Sequence, residues 1–198
     1  MKKKDEATSL ALRVVIDSYE DILGTGGRNS VLNFAGLSEF IDSLPNYSEE
    51  DMVPQKNIDD IIRASFEVIG ESGTKAIIVR AGRSTMKHIV DKSEAARMLS
   101  ESQDITPADK MKILLNLYAQ HINRPPDFEF TDDGAVFHNS ACTLCDGVET
   151  EKPYCNYISG VFEGMGMFVV GFDNIRCEET VCKASGGDEC RHEIIYGD

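Results

Sequence analysis

Six cysteines occur in this 198-residue chain, and all of them lie after residue 141. Six cysteines in a secreted protein would predict three disulfide bonds. The basic start, Lys2–Lys4, is followed by acidic residues and a helical pattern, which is not a secretory signal. Without an export signal, clustered cysteines favour metal binding or redox chemistry. We therefore expect a cytoplasmic protein whose last third is organised by thiol groups.

The most informative spacing is Glu179-Thr-Val-Cys182, followed by seven residues and then Cys190. A glycine turn within those seven residues predicts a hairpin that brings Cys182 and Cys190 together. Cys155 begins a short helix predicted over 154–163. Three thiolates and one carboxylate suit a tetrahedral zinc ion with bonds near ~2.0–2.3 Å and no open position, which is typical of a structural site. The competing interpretation is that these cysteines are simply small buried apolar residues.

A second pair, Cys142-Thr-Leu-Cys145, lies on a predicted loop. Three interpretations of it stay open. It is a second or shared metal site, a redox dithiol in which this spacing lowers one pKa, or a partner of the other cysteines in an iron–sulfur site. Cys177 has no partner at motif spacing and is predicted to be a strand residue.

The first half of the chain is predicted to be helical. Apolar residues at three- and four-residue steps predict helices over about 9–23, 58–69 and 75–90, with a further apolar stretch over 31–44. The segment 22–27 resembles the segment 68–73 at an offset of 46 residues, either through duplication or by chance. Another helix is predicted to begin at Thr106-Pro107, which is a favourable cap and first position.

After Pro126 the apolar pattern alternates, which is typical of strands. A hairpin is predicted around Asp132-Asp133-Gly134, with further strands over 167–172, 175–184 and 189–196. The predicted fold class is α+β, with N-terminal helical hairpins packed on a C-terminal, mostly antiparallel sheet. We expect one domain over 1–198, with a helical half at about 8–124 and a sheet and metal-binding half at about 126–198.

Charge and motif content exclude several function classes. A net charge of −14 disfavours direct nucleic-acid binding, and no apolar run approaches the ~20 residues of a membrane span. The four histidines are scattered, and the glycines at 24–27 follow a helix rather than a strand, unlike a nucleotide-binding loop. No catalytic set stands out, so a binding protein is favoured over an enzyme.

The segment Tyr154–Gly160, with Cys155, and the later Glu179-x2-Cys182-x4-Gly187-Asp188-x-Cys190 resemble the vinyl-4-reductase-type (4-vinyl reductase, hydrocarbon-binding) domain family. The resemblance implies zinc bound by Cys155, Glu179, Cys182 and Cys190. It also implies a fold similar to that of transport-protein-particle subunits, a homodimer, and an enclosed pocket for a small molecule.

The function expected from this resemblance is a stand-alone sensor or carrier of a small hydrophobic ligand, a hydrocarbon or an aromatic, with a structural zinc site. An apolar cavity is predicted between one helix and the strands, lined by Leu114, Leu115, Tyr118, Phe128, Phe130 and Phe137. The homodimer is expected to form through the helical half. The alternative is an iron–sulfur or redox protein, or a component of tetrapyrrole vinyl reduction.

Overall fold

The computed structural model describes residues 6–121, 127–145 and 148–196. Its secondary structure confirms the α+β class, because helices occupy the N-terminal part and an antiparallel sheet lies in the C-terminal part. The chain divides into two compact units, 1–81 and 82–198. The single domain expected over 1–198 stays a prediction.

Unit 1 contains two very short strands and three helical segments. These are β1 (Glu6–Thr8), α1 (Ser9–Phe34), α2 (Glu39–Asp42), β2 (Met52–Pro54) and the beginning of α3 (Gln55–Lys92). Helix α1 begins where it does because the Thr8 side chain accepts a hydrogen bond from the Ala11 amide, which satisfies one of the free N–H groups of the first turn.

The glycines predicted to end the first and third helices instead kink them. Helix α1 continues through Gly24, at φ 69° and ψ 173°, and α3 continues through Gly70, at φ 75° and ψ 176°. This backbone region is essentially restricted to glycine. A glycine adopts it at one position and lets the helix resume, so the predicted breaks at 24 and 70 are corrected to kinks.

The 46-residue repeat is visible in the structure of unit 1. The kink glycines are 46 residues apart, and the antiparallel pair β1–β2 is centred on Ala7 opposite Val53, which are also 46 residues apart. The Tyr19 hydroxyl donates a 2.7 Å hydrogen bond to the Ser65 hydroxyl at the same offset, and both side chains are buried. Equivalent residues that contact each other are expected around an approximate two-fold axis, which supports duplication over chance.

Unit 2 has a four-stranded antiparallel sheet in the order β3-β4-β6-β5, together with the end of α3 and three more helices. Its elements are α4 (Glu94–Glu101), α5 (Pro107–His121), β3 (Phe128–Phe130), β4 (Gly134–Asn139), α6 (Asn156–Met165), β5 (Ile175–Val181) and β6 (Cys190–Tyr196). Helix α4 was not predicted. It begins after Ser93, whose hydroxyl accepts a hydrogen bond from the Ala96 amide.

The core of unit 2 is built from aromatic rings contributed by α5, α6 and the sheet. Ring centroids lie 4.8 Å apart for Phe128 and Phe137, 5.1 Å for Tyr118 and Phe162, and 5.3 Å for Phe137 and Phe162. Three of these rings were predicted to line a ligand cavity. They contact one another in the offset and edge-on arrangements that aromatic pairs prefer, and the cavity itself stays a prediction. A fourth predicted lining residue, Phe130, is exposed.

The strand predicted over 167–172 is wrong. Helix α6 passes directly into a π-helical turn, Gly166–Val170, and the turn ends at Gly171, whose left-handed conformation has φ 87°. The Gly171 amide donates to the Gly166 carbonyl at 2.9 Å. A short apolar run bounded by glycines does not distinguish a buried strand from a buried helical turn.

Replacing either kink glycine should destabilise the protein through backbone strain alone. A Cβ on Gly24 or Gly70 would meet nothing within 4 Å, so Gly24→Ala and Gly70→Ala should each lower the free energy of unfolding by about 1–3 kcal/mol. Urea denaturation followed by circular dichroism measures this.

The matched control is Gly26→Ala. Gly26 lies in the same helix without a positive φ and also has open space around its Cβ, so alanine should stabilise the helix by up to ~1 kcal/mol. Equal effects at Gly24 and Gly26 would contradict the assigned kink.

Candidate metal centre

Six buried donor groups meet where α6 begins beside the sheet. Cys155 is the residue before α6, Glu179 lies in β5, Cys182 follows β5, and Cys190 is the first residue of β6. The other two thiols are Cys142, just before a short 3-10 turn that follows β4, and Cys145, the last residue of that turn. The exposed fraction is 7% or less for every member of this cysteine cluster, namely Cys142, Cys145, Cys155, Glu179, Cys182 and Cys190.

A β-bulge directs Glu179 and Cys182 to the same side of the sheet. Glu179 pairs with His192 and Val181 pairs with Arg191, so Thr180 is an extra residue in β5. Side chains alternate along a regular strand, which would put residues three apart on opposite faces. The extra residue shifts this alternation by one, and both Glu179 and Cys182 are buried.

The turn after β5 brings Cys190 back beside Cys182. Gly186 has φ 92°, and the Gly187 amide donates to the Cys182 carbonyl at 2.9 Å. A Cβ on Gly187 would lie 2.6 Å from the Val181 side chain and 2.9 Å from the Cys182 carbonyl oxygen. The turn therefore needs glycine at 186 for its backbone conformation and at 187 for space.

The sulfur atoms of the cluster are in direct contact. Cys145 Sγ lies 3.2 Å from Cys155 Sγ and 3.4 Å from Cys190 Sγ, and Cys142 Sγ lies 3.4 Å from Cys155 Sγ. No disulfide links any of the cysteines. Two sets of four have all their ligand atoms within 4.8 Å of one another: Cys142, Cys145, Cys155 and Cys190, and Cys155, Glu179, Cys182 and Cys190.

Only one of the two carboxyl oxygens of Glu179 has a hydrogen-bond partner. Its Oε2 atom accepts a 2.6 Å hydrogen bond from the Cys155 amide, whereas its buried Oε1 atom has no hydrogen-bond partner. Burial, and next the neighbouring Cys182 thiolate, raise the pKa of the Glu179 carboxyl to about 9. A buried carboxyl oxygen without a partner is unfavourable, and a cation bound in place of the proton would satisfy it.

The thiols differ in their readiness to ionise. A hydrogen bond from Cys145 is the main cause that lowers the pKa of Cys142 and of Cys182 well below the usual value for a thiol. The pKa of Cys155 is raised, chiefly by the neighbouring Cys142. Thiolates rather than thiols bind metal ions, so the cluster contains acceptors ready to bind a cation.

The structure brings together all four of the predicted metal ligands, Cys155, Glu179, Cys182 and Cys190. It also brings Cys142 and Cys145 into the same cluster, where spacing alone left their role open. Cys177 lies in β5 as predicted, and its amide donates to Glu163 Oε1 at 2.9 Å.

Sequence reasoning missed the ion pair that holds Glu163. The other carboxylate oxygen of this buried side chain is 2.6 Å from the Arg83 guanidinium. The two residues are 80 positions apart, so no spacing pattern pointed to their contact.

No family model matches this chain, and no curated protein matches it. Solved structures do match over almost the whole length. An H-NOX protein from S. oneidensis in the Fe(II)NO ligation state has 11% sequence identity, a TM-score of 0.58, and coverage of 94% of this chain and 99% of that chain. A mutant Fe(II) unliganded H-NOX protein from K. algicida has 13% identity, a TM-score of 0.61 and 97% coverage of each chain. The H-NOX from Shewanella woodyi in the Fe(II)CO state has 12% identity and a TM-score of 0.55, with 96% of this chain and 95% of that chain covered.

This chain has the H-NOX fold. The predicted resemblance to vinyl-4-reductase-type domains is wrong on this finding, because the similar solved structures are H-NOX proteins. The functions predicted from this resemblance are therefore also wrong, namely the hydrocarbon or aromatic carrier with a structural zinc, the iron–sulfur protein and the vinyl-reduction component. The predicted zinc and iron–sulfur cofactors are not supported either, because the H-NOX structures are described with heme or with Fe(II) ligation states.

In the part of the chain that the structure describes, no helix is both long enough and apolar enough to cross a membrane.

Glu179 provides the sharpest test of whether the cluster binds a cation. Glu179→Gln keeps the size of the side chain but removes the anionic oxygen. It should lower the affinity for a thiophilic divalent ion by at least ~10-fold, because even the loss of a residue that only supports a metal ligand costs this much. Isothermal titration with Cd²⁺ under reducing conditions measures the affinity.

The control is Glu178→Gln, one position away on β5, where the exposed side chain contacts Arg176 at 3.0 Å outside the cluster. Its affinity should equal that of the unmodified protein. Equal losses in both variants would indicate a general effect of charge and argue against ligation by Glu179.

Proposed function

We propose that this chain is a sensor domain for a small diatomic gas, and that a metal ion held by the cysteine cluster is the group that responds to the gas. The fold supports the first part, since similar H-NOX structures are described in Fe(II)NO and Fe(II)CO states. The donor groups of the cluster support the second part.

A haem is the group that the fold implies. Haem iron is usually held by His, Cys, Met or Tyr. Residues 1–81 contain no histidine or cysteine. In unit 2, the His192 ring is buried between Phe137 and Phe162, at centroid distances of 6.0 and 6.1 Å. His138 Nδ1 lies 3.0 Å from Glu189.

Each of these two rings also has one buried nitrogen without a hydrogen-bond partner, Nε2 of His138 and Nδ1 of His192. The His121 side chain lies outside the described residues, and His88 is partly buried on α3. The structure brings six buried donor groups together at the cysteine cluster, so the response to gas is assigned to a metal ion there.

The observation that carries the metal proposal is the buried, unpartnered Oε1 atom of Glu179 among five buried thiols. Cys155, Glu179, Cys182 and Cys190 are the proposed ligands. Four such donors complete the tetrahedral shell of a thiophilic divalent ion and leave no open position. A diatomic gas would therefore bind an open-shell ion here by replacing one of the four protein ligands.

The experiment loads the metal-free protein anaerobically with Fe(II) or Co(II) and then adds nitric oxide. The visible spectrum should show thiolate-to-metal absorption on loading and should change on addition of the gas. Cys155→Ser together with Cys190→Ser should abolish both responses, because these residues belong to both sets of four ligands. The matched control Cys177→Ser removes a buried cysteine outside the cluster and should leave both unchanged.

A parallel titration with haem separates the two chemistries. We expect no stoichiometric haem absorption band. A band that saturates at one haem per chain and shifts with nitric oxide would overturn the assignment of the response to the cysteine cluster. Loading without any spectral change on addition of gas would leave a metal site but refute gas sensing at that site.

Two finer expectations stay part of this proposal. A cytoplasmic location is consistent with the free thiols.

The homodimer also stays a prediction. Light scattering at several protein concentrations tests it, and a monomer mass that does not change with concentration would contradict it.

A further inference from the structure

The cysteine cluster contains more donor atoms than one ion uses. A tetrahedral ion takes four ligands, whereas six donor side chains are buried together. The two sets of four overlap in Cys155 and Cys190. One set is completed by Cys142 and Cys145, and the other by Glu179 and Cys182. Two ions that share two ligands therefore use all six donors, with four donors on each ion.

The shared pair has the separation that bridging thiolates need. Cys155 Sγ and Cys190 Sγ lie 3.9 Å apart. Two sulfur atoms bound to the same tetrahedral ion lie about 3.8 Å apart when the metal–sulfur bonds are near ~2.3 Å. Both residues are buried, and ligand atoms of both sets lie within 4.8 Å of each sulfur. Each of them is thus placed to contact two ions.

Charge balance favours two ions over one. When all six donors bind metal they are deprotonated, so five thiolates and one carboxylate contribute six negative charges. One divalent ion leaves a net charge of −4 in a buried site, whereas two divalent ions leave −2. A net of −2 is also the charge of a single ion with four anionic ligands. The second ion therefore allows complete deprotonation without additional buried charge, which is costly when it is unpaired.

We propose that the cysteine cluster is a binuclear centre that holds two thiophilic divalent ions bridged by the thiolates of Cys155 and Cys190. The first ion is completed by Cys142 and Cys145, and the second by Glu179 and Cys182. The inference rests on the proposed metal binding and extends it from one ion to two.

The proposal also predicts which segment moves when the metal binds. Cys145 Sγ lies 3.6 Å from Cys182 Sγ, although the two residues bind different ions, so they separate when both ions are present. Cys182 is held by the Tyr154 amide on its sulfur and by the Gly187 amide on its carbonyl. Cys145 lies on the 3-10 turn Thr143–Cys145, and this turn is the segment that shifts.

The test is the stoichiometry of Cd²⁺ bound to the full chain, reduced and metal-free, measured by elemental analysis after removal of weakly bound ions. Two ions per chain are expected for the unmodified protein and for Cys177→Ser. Cys142→Ser with Cys145→Ser should retain one ion, and so should Glu179→Gln with Cys182→Ser. Cys155→Ser with Cys190→Ser should retain none.

Cadmium NMR of the unmodified protein is a second measurement that needs no variant to fold. Two resonances are expected, one from an ion with four sulfur ligands and one from an ion with three sulfurs and an oxygen. Saturation at one ion, with a single resonance, would overturn the binuclear centre while leaving the single metal site of the proposed function. Saturation at zero ions would overturn both.

Discussion

Burial of the cysteine cluster is the interaction on which the architecture around α6 depends. Five thiols and a carboxyl with a free oxygen are placed where water does not reach them. These groups come from the turn after β4, the beginning of α6, the end of β5 and the beginning of β6. A cation at this point would bind the ends of all four segments. Without one, the same groups rely on weak hydrogen bonds between thiols, which compensate poorly for the lost hydration.

Glycines set the backbone geometry at several positions in each unit, and the physical reason for glycine differs between these positions. Gly24 and Gly70 kink α1 and α3, and a Cβ at either position would meet nothing within 4 Å. Glycine is therefore required there only for its backbone conformation. Gly82 is required for lack of space, because a Cβ there would lie 2.2 Å from the Tyr157 carbonyl oxygen. The end of α3 therefore approaches α6 closely, three residues upstream of the contact between Thr85 and the Tyr157 hydroxyl at 2.9 Å.

Local sequence patterns predicted the elements that local physics determines. Alternation identified the hairpin of β3 and β4, a favourable cap identified the beginning of α5, and spacing identified four donors of the cluster. Sequence spacing could not predict contacts that depend on pairing between residues distant in sequence. Whether Cys142 and Cys145 reach Cys155 depends on how β4 pairs with β6, and the bulge at Thr180 depends on pairing with His192. The kinks at Gly24 and Gly70 were predicted as breaks, because a glycine in a sequence does not reveal which backbone conformation it adopts.

The same limit explains why the fold and the candidate chemistry point in different directions. The H-NOX likeness extends over nearly the whole chain, but at 10–14% identity it reports the path of the backbone. Chemistry belongs to side chains placed on that path. In unit 2 aromatic rings pack beside α5 and α6, whereas six buried metal-binding donor groups converge at the cysteine cluster. A fold shared with iron-based gas-binding proteins thus places a set of thiol donors where α6 meets the sheet. The chemistry of this chain is therefore to be sought first at those donors.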